Sequence, residues 1–337
     1  MKTLLFTTLT LIAFLFSGCS GKKYFEPEKT FSAGHASKSY GETMERLSRD
    51  GGTLAGGTYV ASAGISKIKL GEGYRFLNEN DVYVLATNAE GILKIINKNT
   101  KQVVRAVSLH VPLVAATVRG EVIAYILNNN SFGIYNIEEN KKVVENRSEE
   151  TFAIDTRAAN PIFVDNLVVM PMLDGKLIIA SLSNTDNAKV IYLSSDKAFN
   201  NVIYLSRQGN TMIAATSKKL VTLGNQGQLE YKENISEVAY DAGTIYLFTQ
   251  EGYVIALNDK LQKIAEVKHK FAHYAVATAF NGKVYALDQG GSLIVMNSDL
   301  SKEKIYDLGE VEEPALILGT KLYKDGDVIE LSKLGYE

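Results

Sequence analysis

A unit of about 39 residues, made of four short apolar runs joined by tight turns, recurs along most of this chain. It is plainest between Ser236 and Val267. Glu237 to Tyr240 is a first run, and Asp241 to Gly243 turns the chain. Thr244 to Thr249 is the second run, followed by a turn at Gln250 to Gly252. Tyr253 to Asn258 is the third, and Lys263 to Val267 the fourth. Runs of this length with β-branched and aromatic residues, bounded by Gly, Asn and Asp, predict antiparallel strands linked by hairpins.

The unit then repeats from Ala275 to Leu308, with Asn281-Gly282 and Gln289 to Gly291 as turns. Earlier copies end their third runs at Ile95 to Asn97 and Ile134 to Asn136. Less regular copies cover Leu167 to Leu193 and Val202 to Tyr231, with turns at Asp174-Gly175 and Gln226-Gly227. Ile96, Tyr135, Ala180, Leu223, Leu257, Met296 and Leu331 hold equivalent places. The spacing predicts an all-β fold, a β-propeller of four-stranded antiparallel blades over residues 58–337. Seven blades are expected, and eight if Tyr59 to Phe76 holds a further partial sheet.

The last copy supplies three strands, from Ala315 to Leu331, so closing the ring calls for an N-terminal strand. Thr58 to Leu70 is the expected donor, and closure of this kind removes open sheet edges. A sandwich uses about seven to nine strands, whereas this chain offers about 28. Val168 to Met172 and Ile178 to Ala180 lack strict alternation, as strands buried on both faces do.

The N-terminus differs in texture. Lys2, the apolar run Leu4 to Phe16, and Ser17-Gly18 before Cys19 have the form of a secretory signal peptide, residues 1–18. The run is too short to span a bilayer as a stable helix. Residues 19–57 read as a tether, with Lys22 to Lys38 flexible and Glu42 to Arg49 compatible with two helical turns. Cys19 is the only cysteine, so the chain forms no internal disulfide and depends on packing and sheet pairing. A net charge of −2 gives no electrostatic case for binding nucleic acid.

Ser17-Gly18-Cys19 resembles the lipobox of bacterial lipoproteins. That resemblance implies cleavage before Cys19 and lipidation, palmitate included, at Cys19. Ser20, which is not Asp, implies passage to the outer membrane with the protein facing the periplasm; in a single-membrane cell it implies the outer face of that membrane. The strand Val254 to Asn258 (Val-Ile-Ala-Leu-Asn) is followed by a Lys-bearing turn and a short last strand, and Val284 to Asp288 (Val-Tyr-Ala-Leu-Asp) carries nearly the same run in the next copy. This pattern resembles the quinoprotein-like (PQQ-repeat) propeller.

Lipoprotein signal and single propeller together resemble the BamB family of the outer-membrane β-barrel assembly machinery. The resemblance implies a non-catalytic scaffold whose loops bind a β-barrel assembly protein. The quinoprotein-like repeat commonly ends in a Trp, and this chain has none; Val144, Val267 and Tyr306 stand near that place.

Quinoprotein dehydrogenases share the architecture but need a Trp under the cofactor and a vicinal disulfide, which zero Trp and one Cys exclude. The chain carries no Asp-rich calcium loop, nucleophile elbow or phosphate-binding Gly loop. The expectation is therefore no enzyme, no cofactor and no metal. His269 and His273 have the i, i+4 spacing that binds zinc on a helix, but they lie between strands. They read, with His35 and His110, as loop or half-buried residues.

Glu149-Glu150 and Glu312-Glu313 read as solvated linkers, and Asn128 to Asn130 as a hairpin turn. The loops Arg147 to Arg157 and His269 to Tyr274 are candidates for a binding face. The alternative functions are a ligand- or glycan-binding propeller, enzymatic or not, or a structural part of another envelope machine. The ligand reading calls for carboxylates, Asn or Tyr converging at one mouth of the channel.

Overall fold

The computed structural model describes residues 24–34, 37–148, 151, 157–182, 188–195, 199–225 and 227–337. The signal peptide, Cys19, His35, Glu149, Glu150, Gln226 and much of the Arg147 to Arg157 loop lie outside the described residues.

The described residues form eight antiparallel blades, the higher of the two counts that the spacing allows, with strands at Tyr59–Ala61 and Gly64–Ser66 in the extra sheet. Blade 1 consists of Met44–Ser48, Gly51–Leu54, Tyr59–Ala61 and Gly64–Ser66. Blade 2 begins at Arg75–Glu79, blade 3 at Leu113–Arg119, blade 4 at Ile162–Val164 and blade 5 at Tyr204–Gln208. Blade 6 begins at Ile235–Asp241, blade 7 at Tyr274–Phe280 and blade 8 at Leu316–Leu318. Within each blade, strands consecutive in the chain pair side by side, the topology of successive hairpins.

Among the described residues, eight apolar clusters correspond to the eight seams between adjacent blades. A blade is too thin to hide both of its faces, so each seam is a core shared by two neighbours. Second and third strands are accordingly buried along most of their length, as in Lys283–Asp288 and Ser292–Asn297. Fourth strands alternate between half-buried and exposed, as in Lys263–Lys268. Their lysines and glutamates blunt the outer edge against pairing with another chain. Val144, Val267 and Tyr306 pack into the seams of blades 3 and 4, 6 and 7, and 7 and 8, which gives each an interblade contact without Trp.

The eighth blade lies in the segment expected to be tether and donor strand. Met44–Ser48 is a strand, not a helix: its register runs from Met44 opposite Leu54 to Ser48 opposite Gly51. Met44 is buried with Leu54, Val60, Leu316 and Tyr323 in the seam between blades 1 and 8, and that seam outweighs the weak local helix preference. Gly51-Gly52 begins the second strand despite the low strand preference of glycine. A Cβ at Gly51 would strike the Val60 carbonyl and the Phe76 ring, and one at Gly52 the Met44 sulfur.

An N-terminal strand does close the ring, but Ser37–Ser39 provides it rather than Thr58 to Leu70. Ser37, Lys38 and Ser39 pair antiparallel with Ile329, Val328 and Asp327, completing blade 8. Just before this, Phe31–Ser32 adds a parallel fifth strand outside blade 7, opposite Tyr306 and Asp307. Phe25 packs on the cluster between blades 6 and 7. Phe25, Phe31–Ser32 and Ser37–Ser39 thus strap the outside of three blades, where a loose tether was expected.

A recurrent turn explains one of the histidines. The glycine before the third strand accepts a hydrogen bond from the residue just past the fourth strand: Leu109 to Gly91, Leu193 to Gly175, His269 to Gly252 and Leu308 to Gly291. A Cβ at Gly291 would collide with the Gly309 carbonyl, so the close approach itself requires glycine. His269 occupies the place that three other blades give to leucine, which is why it is 3% exposed.

Candidate binding site in the central channel

First strands face the axis of the ring, so the side chains they turn inward line its channel. Here they surround a cavity of about 610 Å³. Ala275, Val276 and Ala277 of blade 7, with Pro314 to Ile317 at the start of blade 8, form an apolar wall. Arg46, Arg49, Arg75, Arg157 and Glu237 form the polar side.

The hairpin tip of blade 1 is the organising element. Ser48 and Gly51 close a two-residue turn that projects Arg49 and Asp50 from the first strand. Arg49 donates from both terminal nitrogens to Glu237 of blade 6, at 3.2 and 3.4 Å. Its guanidinium also lies 5.7 Å from the centre of the Tyr204 ring in blade 5. Asp50 accepts a bond from the Asn78 amide of blade 2 and another from the Asn160 amide beside blade 4, each at 2.6 Å. One hairpin therefore touches blades 2, 4, 5 and 6. Arg49 borders both the main cavity and a second one of about 460 Å³ beside Asn160 and Tyr204, so the tip stands between them.

Among the described residues, charge in the main cavity is unbalanced, with four guanidiniums facing one carboxylate. Glu237 is 8% exposed and already serves Arg49, with Arg157 at 4.0 Å. Burial disfavours the charged form of Arg49, but the Glu237 carboxylate more than offsets this and holds its pKa above the usual arginine value. Arg75 differs. Its guanidinium donates to the neutral carbonyl of Leu113. Burial first, and the positive charge of Arg46 second, push it down to about 10. The geometry suits the holding of negative charge in a cavity with one greasy side.

The residues singled out from sequence do not converge. His110 is exposed, with its Nδ1 3.2 Å from the Ser108 hydroxyl. His269 is buried, with Nδ1 2.8 Å from the Tyr274 hydroxyl and Nε2 2.7 Å from Glu303. His273 is exposed, and its backbone N–H donates to Asp288 at 2.6 Å. Among the described residues no group of three or more His, Cys, Asp or Glu stands together as a metal cage would. Glu313 is not merely solvated: it accepts the Met44 N–H at 2.8 Å and so ties blade 8 to blade 1. Asn130 does turn a hairpin, and it also accepts the Leu173 N–H at 2.8 Å, linking blades 3 and 4.

Arg46, Arg49, Arg75 and Glu237 do not stand out as a set in the sequence. The available signal is charge on first strands, which becomes informative only once the blade register is known.

No protein-family model matches the chain. Among solved structures, BamB from Moraxella catarrhalis superposes with a TM-score of 0.71, covering 89% of this chain and 98% of that one at 14% identity. The fold is that of a BamB-like propeller. Sqt1 of Saccharomyces cerevisiae superposes with a TM-score of 0.63 at 11% identity, over 87% of this chain and 96% of that one. In sequence, the chain is similar to the plasminogen-binding protein PgbB of Helicobacter pylori strain J99, 28% identical over 90% of this chain. The PgbB of strain 26695 is 27% identical over 89% of this chain. The chain spans 64% of the length of each of these relatives.

Proposed function

We propose that this chain is a lipid-anchored, non-catalytic propeller that binds other proteins as a scaffold in the assembly of the cell envelope, at the periplasmic face of the outer membrane. The observation that carries the reading is the ring itself, eight blades strapped by their own N-terminal segment. Such a body holds its interblade loops at fixed separations, which is what a protein-binding platform needs. The BamB-like fold and the binding-protein names of the relatives support it.

The strap sharpens the picture of the anchor. Phe25 is docked on the ring only six positions after Cys19. A lipid at Cys19 would therefore hold this side of the ring within about 20 Å of the bilayer, the reach of six extended residues. Held that close, weak contacts with a membrane-bound partner suffice.

The relatives' name favours a second reading, capture of plasminogen by a copy facing outward. Crosslinking in intact cells, with identification of the attached proteins, tests the first reading. Attachment to components of the β-barrel assembly machinery supports it. Crosslinks confined to added plasminogen, with the chain digestible by protease on intact cells, would replace it with the second.

A further inference from the structure

We propose that the central channel is a binding site for a small organic anion, with a carboxylate or phosphate group held by Arg46 and Arg75 and an apolar body lying against blades 7 and 8. The inference stands apart from the scaffold reading and from its partner.

Three observations carry it. The first is the charge imbalance. Glu237 is committed to Arg49 and Arg157, which leaves Arg46 and Arg75 without a carboxylate among the described residues of the cavity. The second is the situation of Arg75. It is half-buried, it sits near another guanidinium, and its described hydrogen bond is to a neutral carbonyl. Partial burial of a cation beside a like charge is unfavourable, and an anion spanning the two would relieve both costs. Guanidiniums present paired donors that fit carboxylate and phosphate oxygens.

The third observation is shape. The volume of about 610 Å³ falls within the range of roughly 300 to 1,000 Å³ typical of small-ligand sites. The Ala275 to Ala277 wall supplies the apolar contact that a bare inorganic ion would not use.

Titration calorimetry on the purified full chain tests this, using octyl phosphate and octanoate below their micelle concentrations. Inorganic phosphate and octyl glucoside are the comparison probes. Saturable one-to-one binding of octyl phosphate or octanoate is expected, with the tighter of the two identifying the preferred head group. Inorganic phosphate should bind at least tenfold more weakly, and octyl glucoside should show no saturable binding. Arg46→Gln and Arg75→Gln should each weaken binding about tenfold, the equivalent of one charge-assisted contact. Arg119→Gln, in the second cavity, should leave it unchanged.

Circular dichroism checks that each variant keeps its strand content. Absence of saturable binding by both anionic probes would overturn the proposal. So would undiminished binding by a folded Arg46→Gln/Arg75→Gln double variant, or equal affinity for octyl glucoside.

Discussion

Arg49 and Glu237 meet across the axis of the ring at 3.2 Å although 188 positions separate them along the chain. The pair joins the first blade to the sixth, which are not neighbours in the ring. Asp50, next to Arg49, holds Asn78 and Asn160 at the same time. A propeller is otherwise stabilised seam by seam, each blade reading only the next. This hairpin adds long-range ties that depend on all the intervening blades having their native positions.

Glu237→Gln should therefore destabilise the fold by about 2 kcal/mol, because it leaves the Arg49 charge without its counter-charge in an already basic channel. Replacing both partners with apolar residues, Arg49→Met with Glu237→Leu, should recover more than half of that loss. Urea unfolding of the three proteins measures both quantities. A double variant as unstable as Glu237→Gln would mean that the loss does not arise from a stranded charge.

His269→Leu should be tolerated, with a change in stability within about 1 kcal/mol, since leucine fills the same station in three other blades. The Tyr274 hydroxyl keeps the Gly252 carbonyl at 3.0 Å as a partner, and Glu303 turns to water. His269→Ala should cost about 3 kcal/mol by leaving a cavity between Phe25 and the seam. Thermal melts of the two variants distinguish a packing role from a specific chemical one. A large loss in His269→Leu would point to chemistry at the imidazole.

Asp325 makes blade 8 sensitive to acid. Burial alone would raise its pKa, but the Lys324 ammonium and the backbone N–H groups of Glu313 and Glu312 bond to the carboxylate and bring the folded value below that of an ordinary aspartate. A folded pKa below the unfolded one means that the ionised form stabilises the fold above the unfolded value. That contribution fades as pH falls from about 4 through the folded pKa. Asp325→Asn should lower stability at pH 7 and flatten its dependence on pH below about 4. Denaturation midpoints taken from about pH 7 down to about pH 2 give the comparison, and parallel curves for variant and native chain would refute the assignment.

Much of the ring was legible because its turns and apolar runs are local. Asn281-Gly282 and the strand Val284 to Asp288 declare themselves without knowledge of any neighbour. Blade 1 was hidden for the opposite reason. Gly51 and Gly52 are glycine because Phe76 and Met44 crowd them, a reason that exists only in the assembled molecule. Met44 likewise makes a strand because blade 8 is beside it. The channel residues were individually visible but not as a group, since Arg46, Arg75 and Glu237 converge only after eight separate sheets have been placed about one axis.

If Cys19 carries the proposed lipid anchor, Cys19→Ala should release the chain from the membrane fraction while leaving its unfolding transition in place, and continued membrane retention would refute the anchor. The short interval between Cys19 and Phe25 adds a second expectation. Inserting about 15 Gly/Ser residues after Ser20 should keep the chain membrane-bound but lower its crosslinking to a membrane partner, because the ring then explores a larger volume. Fractionation and quantitative crosslinking read these outcomes. Unchanged partner crosslinking in the insertion variant would argue against the close tether.

Closure at blade 8 offers the most direct test of the architecture. Ser37–Ser39 forms the outer strand of blade 8, and Phe31–Ser32 braces blade 7 beside it. Deleting residues 24–39 strips both blades and exposes the edge of Asp327–Glu330, which carries unpaired backbone groups able to pair with another chain. The shortened chain should unfold at a lower urea concentration, lose a single cooperative transition, and self-associate at concentrations where the native chain does not. Size-exclusion chromatography and urea titration followed by fluorescence report these changes. A shortened chain with an unchanged midpoint and an unchanged elution volume would mean that the ring holds without its strap, and that the seam of Met44, Leu54, Val60, Leu316 and Tyr323 closes it alone.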